Sequence, residues 1–339
     1  MPHYQQRDPH TLTTEPMAAV PAANAQTGFR IRWTRVTIVL IVALLLALGG
    51  IAFAAFQHLH HNIKTTQVQG LTNTSSTKGA MNVLIIGSDE RDGSIDAGEA
   101  EGRRSDSILV AHINAAHDKV TGIQIPRDTM VLPPKGSTAY STAPNVPVQI
   151  NSLLADGDSQ LIEAVSTLTG LGINHYVDVN FGGFISIVDA LGGIDMNLPE
   201  ALKDPDANLD LPAGQQTLNG TQALAMARER HAIGDGSDLA RIGNQQTVMK
   251  AILDKAQSSS TLSNPIKLYS FLNQSSSSIM VDDGLKSSTQ FLSFIRTFTQ
   301  VPRDQISFEQ LPVEPYPWDT NRVQLSDEGV ARLAEIAKS

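Results

Sequence analysis

The chain has 339 residues, no cysteine, 41% hydrophobic and 17% charged residues, and a formal net charge of −9. That composition fits a folded protein rather than a disordered one, and it excludes disulfides, thiolate metal centres and cysteine nucleophiles. Setting aside the first 56 residues, which carry four basic and two acidic side chains, leaves 21 basic against 32 acidic, so no nucleic acid partner is expected.

Residues 1–35 begin with a stretch rich in Pro, Thr, Ala and Gln without apolar periodicity, and read as a disordered cytoplasmic tail. Val36–Phe56 is a 21-residue apolar run with Thr37 as its only polar side chain, long enough to cross about 30 Å of hydrocarbon as a helix. Arg30, Arg32 and Arg35 precede it, and no Lys or Arg follows before Lys64. The bias of positive charge predicts a single-pass cell-membrane protein with its N-terminus in the cytoplasm and residues 57–339 outside. Ala52-Phe53-Ala54 also offers a signal-peptide cleavage site, but the run exceeds the roughly 7–15 residues usual there, so a retained span over 36–56 is expected. Residues 57–79 read as a polar tether, with the folded domain over 80–339 and beginning near Met81.

Within the domain, Met81–Ile86, Ile108–Ile113 and Val120–Ile125 are Ile- and Val-rich runs bounded by turn formers, as buried strands are. Leu161–Leu168 ahead of Gly170 reads as a helix, His175–Val179 as a strand, Phe184–Leu191 closed by Gly192 and Gly193 as a buried helix, and Ile194–Leu198 as a strand. Helices follow at Gly220–Ala227 and at Asp238–Lys255, the latter with Leu239, Ile242, Met249, Ile252 and Leu253 on its core face. The remainder predicts helices at Ile266–Leu272, Thr289–Phe298 and Asp327–Ala337, a strand at Ile306–Phe308 and a linker at Gln274–Ser278. Strands and helices alternate without an internal repeat, which predicts an α/β fold class.

Seven of the eleven arginines beyond residue 56 fall in four short stretches, each with a carboxylate or amide nearby. Guanidinium groups bind phosphate bidentately, so this pattern points to a polyphosphate bridged by a divalent cation. Asp89 and Arg91 follow the first strand, where open α/β sheets place ligands. Arg104 and Asp106 lead into the second strand, and Arg127 follows Pro126 at the end of the third. Asp89 and Asp106 suit Mg2+ (or Mn2+), which takes one or two carboxylates plus substrate phosphates. Asp128 is expected to neutralise Arg127 or cap a turn rather than bind ligand. Arg228 and Arg230 share a face only in extended backbone, so the helix before them is expected to stop near Ala227. Arg241 and Gln245, four apart, share a helical face opposite much of the apolar stripe. Phe184–Leu191 is apolar nearly all round and reads as core, with a lipid-lined groove as the alternative. The His58, His60 and His61 cluster reads as interfacial, and Ser75-Ser76-Thr77-Lys78 matches a serine acyl-enzyme motif without its companion elements.

These residues carry a resemblance. Asn82–Arg91, Arg104-Ser105-Asp106-Ser107, Ile125-Pro126-Arg127-Asp128, Asp189-Ala190-Leu191-Gly192-Gly193, Ala223–Arg230 and Arg241 with Gln245-Gln246 resemble, in order, the signatures of the LytR-CpsA-Psr family of cell-envelope glycopolymer transferases. The resemblance covers Asn82 to about Lys255 and fades beyond. It implies a single α-β-α sandwich with a central mixed sheet behind one transmembrane helix. It also implies an enzyme that moves a glycopolymer, such as a teichoic acid, capsule or arabinogalactan precursor, from a polyprenyl pyrophosphate carrier to a peptidoglycan hydroxyl. By motif, Asp89 and Asp106 would sit at the cation, with Arg91, Arg104, Arg127, Arg228, Arg230, Arg241 and Gln245 around the phosphates. Asp106, Asp89, Arg127 and Arg228 are the expected catalytic residues. Gln124 and Asn244 depart from the family's usual Ser and Arg, and Ser107 from the commoner Thr. A lipid pyrophosphatase and a non-catalytic, membrane-anchored lipid-binding regulator are the alternatives.

Overall fold

The three apolar runs that follow Gly79 form the middle of a seven-stranded mixed sheet in a computed structural model of the chain, which describes residues 64–72, 79–88, 103–204, 209–229, 238–258, 270, 271, 273, 274 and 279–339. The expected tail 1–35, the span 36–56, the three histidines, Ser75–Lys78, Asp89, Arg91 and Arg230 lie outside the described residues, as does the side chain of Arg241. Among the described residues no helix is long and apolar enough to cross a membrane.

The sheet strands are β1 (Lys64–Thr66), β2 (Met81–Ser88), β3 (Ser105–Ile113), β4 (Val120–Ile125), β5 (His175–Asn180), β6 (Ile279–Asp282) and β7 (Ile306–Gln310), in spatial order β1-β6-β5-β2-β3-β4-β7. β2, β3 and β4 form an antiparallel meander, while β5 lies parallel to β2 and β7 parallel to β4. The helices are α1 (Asp158–Thr169), α2 (Phe181–Ala190), α3 (Gly220–Arg228), α4 (Asp238–Ser258), α5 (Ser288–Gln300) and α6 (Asp327–Ile336). Successive strand residues point to opposite faces. Leu84, Ile86, Ile108, Val110, Ile123 and Ile125 therefore pack with Leu161, Ile162 and Val165 of α1 and Leu333 and Ile336 of α6. Val83, Ala111, Ile113, Val120 and Val281 join Phe291 of α5 in a separate cluster. The expected α/β class and mixed sheet are what the structure shows.

Two expectations are corrected. Lys64–Thr72 is not a tether: β1 pairs in parallel with β6, the Gln69 N–H donates to Ser159 Oγ at 2.8 Å, the Thr72 N–H donates to the Ile173 carbonyl at 2.6 Å, and Val68 and Leu71 pack against the core. The stretch is mostly polar because an edge strand buries little of itself, which hides it from an apolar-periodicity search. Gln274, expected to open a linker, is helical.

A third cluster joins α2, α3 and α4 to the antiparallel pair of Ile194–Leu198 with Gly214–Leu218. α2 is capped by Asn180, whose side chain accepts from the Gly183 N–H, and α3 by a reciprocal Asn219/Gln222 box. These helices meet where Gly220 lets α3 touch the α2 backbone: a Cβ there would lie 2.4 Å from the Ile185 carbonyl oxygen. Gly220→Ala is expected to cost about 1–3 kcal/mol through forced displacement of α2, whereas Gly243→Ala, with open space around its Cβ, should be neutral or stabilising by about 0.5–1 kcal/mol. Thermal unfolding of the two variants checks the contrast.

Candidate active site

The register of the meander sets the site. Ser88 at the end of β2 pairs with Ser105 at the start of β3, and Ile108 pairs with Ile125 at the end of β4, so three chain segments reach one sheet edge. Asn180, at the end of β5, pairs with Ser88 on the other side. The register shifts where Gly87 faces Ser107 and Ser88 faces Ser105, leaving Asp106 as the extra residue of a bulge. A bulge re-aims a side chain and ends regular pairing, and here Asp106 turns into a cleft.

That cleft has a volume of about 220 Å³ and opens to solvent. Ile85, Leu109, Val179, Phe184, Ile187, Leu224, Val248, Met249 and Ile252 give it an apolar wall, and Asp106, Ser107, Asn180, Arg228 and Gln245 are its polar members. Arg127 Nη1 donates to Asp106 Oδ1 at 2.8 Å, with both side chains partly buried. The Arg228 guanidinium lies 4.7 Å from the centroid of the Phe181 ring, a cation–π contact that holds the charge over an apolar surface. Gln124, 1% exposed on β4, donates from Nε2 to Ser107 Oγ at 2.9 Å and to Gln245 Oε1 at 3.1 Å.

Of the expected site residues, Asp106, Arg228 and Gln245 line this cleft, and Arg127 is joined to it through its hydrogen bond to Asp106. Arg104 is exposed and does not line it. Asp128 has the structural role expected: Oδ1 accepts from Arg322 and from Gln149, both at 2.9 Å, and Oδ2 lies 3.7 Å from Arg127 Nε. Arg228 is not in a strand-like stretch. It is the last residue of α3, and the chain turns extended only at Glu229 (φ −58°, ψ 138°), a place where a cation also complements the helix dipole. Gln245 does not oppose the apolar stripe either. Residues 245, 248, 249 and 252 recur at helical spacing along one face, all lining the cleft, and the sequence reading omitted Val248 from that stripe. Phe184 and Ile187 line the cleft too, so part of the apolar α2 forms a groove rather than core alone. Asn244, which stands in place of the family's usual Arg, is buried and donates to the Glu229 carboxylate at 3.1 Å.

Sequence reasoning missed Gln124, Asn180 and Phe181 at the site; only the strand-end position of Gln124 and the cap-like Asn before a helix signalled them. It also left the role of Arg103 unassigned. Arg103 bridges Asp158, at 2.9 Å, and Asp178, while the Tyr176 hydroxyl donates to Asp158. Burial pushes the Asp178 carboxyl up, against the pull of Arg103; burial pushes the Tyr176 hydroxyl up as well, reinforced by the two aspartates. The Arg103 guanidinium would be lowered by burial but is raised on balance by Asp178 and Asp158.

The LytR_cpsA_psr family matches the chain across residues 50–338. The chain belongs to that family. Among relatives of this LytR_cpsA_psr protein, the cell wall biosynthesis protein LcpA of Corynebacterium glutamicum is 28% identical over 331 residues, covering 88% of this chain and 63% of LcpA. The chain thus spans less than two thirds of that relative's length. The polyisoprenyl-teichoic acid–peptidoglycan teichoic acid transferase TagU of Oceanobacillus iheyensis is 32% identical over 235 residues, 66% of this chain and 69% of TagU. A LytR-Csp2A-Psr enzyme from Actinomyces oris shares the fold with a TM-score of 0.64 and 24% identity, covering 81% of this chain and 96% of its own.

Removing Arg103 would strand Asp178, 3% exposed, without its bridging cation. Arg103→Met is expected to destabilise by about 3–5 kcal/mol near neutral pH. A carboxyl whose folded pKa lies above its unfolded value binds more protons when folded, so it loses stability as pH rises through that window. The deficit should therefore shrink as pH falls towards the ordinary carboxylate range, as denaturant titrations of wild type and variant at several pH values will show.

Proposed function

We propose that this protein is a membrane-anchored phosphotransferase that moves a glycopolymer from a polyprenyl pyrophosphate carrier to a peptidoglycan hydroxyl, forming a phosphodiester. The carrying observation is the cleft, in which an apolar wall meets Asp106, Arg228 and Gln245, with Arg127 hydrogen-bonded to Asp106 at its margin. An isoprenoid tail with a diphosphate head has that same division, and few other metabolites combine so long an apolar part with so compact an anion. The naming of the TagU relative as a teichoic acid transferase supports the same reading.

In the reaction, an acceptor hydroxyl oxygen attacks the phosphorus that bears the glycan. A new P–O bond forms as the bond from that phosphorus to the bridging oxygen breaks, and polyprenyl phosphate leaves with the bridging oxygen. Arg127 and Arg228 take up charge on the phosphoryl oxygens and leaving group, where charge-assisted hydrogen bonds contribute about 1.5–3 kcal/mol each. The amide of Gln245 donates to the same anion. Asp106, or Asp89 one residue beyond Ser88, accepts the hydroxyl proton.

Asp106, re-aimed into the cleft by the bulge, offers a hard oxygen donor beside the Ser107 hydroxyl and the Asn180 and Gln245 amides, with the Arg127 guanidinium hydrogen-bonded to it, and its carboxylate is the ligand type that a hard divalent cation takes together with substrate phosphates. Asp106 and Asp89, with substrate phosphates, would hold Mg2+ (or Mn2+), which when bound supplies further charge neutralisation at the phosphates. The 36–56 run, with arginines on one flank only, supports anchoring with the domain outside the cytoplasm, in reach of both lipid carrier and wall.

Arg127→Ala and Arg228→Ala should each lower transfer at least about tenfold, or roughly 1.4 kcal/mol. Wild-type rates in both folded variants would sink the assignment. Incubation with a lipid-pyrophosphate glycan, magnesium and peptidoglycan reads the reaction directly: glycan bound covalently to the wall supports transfer, free phosphorylated glycan means hydrolysis, and unchanged lipid means a sensor.

A further inference from the structure

Gln124 sits where a residue chosen for stability alone would be apolar. It is 1% exposed, and although its Nε2 has two acceptors, its Oε1 has no hydrogen-bond partner among the described residues. A buried carbonyl without a donor costs free energy that a Met or Leu of similar size would not. The donor end of the same amide, by contrast, is fully used, and both its partners, Ser107 and Gln245, line the cleft.

The contact with Gln245 has a polarity. Gln245 lies on α4 and its amide can turn either end towards the cleft, since oxygen and nitrogen branch from the same carbon. Facing an anion, the two ends differ in sign: N–H donors attract phosphate oxygens, whereas a carbonyl oxygen repels them. Gln124 donates through Nε2 to the Gln245 oxygen, which sets that oxygen against the sheet and leaves the nitrogen branch on the other side.

We propose that Gln124 is a positioning residue that locks the Gln245 amide with its donors towards the phosphates of the bound lipid. This rests on the reading of the cleft as a lipid-pyrophosphate site. Gln124 touches no substrate itself; it removes the rotation that would otherwise present the wrong end of Gln245 for part of the time. A carboxylate in its place would do the reverse, accepting from the Gln245 nitrogen and turning the oxygen outward.

The test uses the full chain in detergent with two probes, a short-chain polyprenyl pyrophosphate and the matching polyprenol, and a double-mutant cycle over Gln124→Met and Gln245→Met. Gln124→Met should weaken pyrophosphate binding about five- to tenfold, the order of one ordinary hydrogen bond, with an unchanged or higher melting temperature. It should leave polyprenol binding alone and add no loss in the Gln245→Met background. Gln124→Glu should weaken pyrophosphate binding more than Gln124→Met. Wild-type pyrophosphate affinity in Gln124→Met, an equal loss in both backgrounds, or an equal loss for the polyprenol would overturn the positioning role while leaving the cleft assignment intact. Failure of the wild-type protein to bind polyprenyl pyrophosphate would overturn the cleft assignment itself, and this role with it.

Discussion

Backbone pairing of Ser88 with Ser105 and of Ile108 with Ile125 brings the end of β2, the start of β3 and the end of β4 to one edge of the sheet. Hydrogen bonding between antiparallel strands leaves no freedom in that register once one face is buried, because a shift by one residue would turn Leu84, Ile86, Ile108 and Val110 out of the core. The position of Asp106 beside Arg127 is thus enforced by packing on the far face, about one sheet thickness away from the chemistry. The bulge at Asp106, where the β2–β3 register shifts, points the carboxylate into the cleft.

Charge is handled in two ways on this framework. Arg103 is consumed by Asp158 and Asp178 within the fold, where desolvation makes each partner necessary to the other. Arg127 sits between the partly exposed Asp106 and Asp128, and Arg228 lies over an aromatic face, an arrangement that keeps both guanidinium groups near an apolar cleft. Asp128 extends the first of these contacts to Arg322 and so ties the late hairpin of Val313–Tyr316 with Asp319–Leu325 to the strand end that carries Arg127.

The apolar part of the cleft comes from helices that would otherwise read as core. α2 packs closely on α3 at Gly220 yet offers Phe184 and Ile187 to the open space, and α4 adds Val248, Met249 and Ile252. Each helix therefore has two apolar duties, one towards its neighbours and one towards the cleft, and a single side of hydrophobic residues cannot distinguish them. Gln124 and Gln245 connect this wall to the sheet where it turns polar.

Local pattern was enough to place most of the elements and to single out Asp106, Arg127 and Arg228. Ile- and Val-rich runs between turn formers marked β2, β3 and β4, glycine marked the end of α1 at Gly170 in a left-handed conformation (φ 69°), and arginine beside aspartate at strand ends marked Asp106 and Arg127. These signals are carried by residues close together in the chain. What pattern could not supply depends on partners far apart in it: β1 is stabilised by pairing with a strand more than two hundred residues later, Arg103 is drawn off by aspartates on α1 and β5, and Gln124 acquires its role only when α4 lays Gln245 against it. Composition and periodicity report what a segment can bury. Which side chain meets which, and whether an apolar face closes into core or opens on a cleft, is decided by tertiary packing, since contact energies arise between surfaces the linear order does not adjoin.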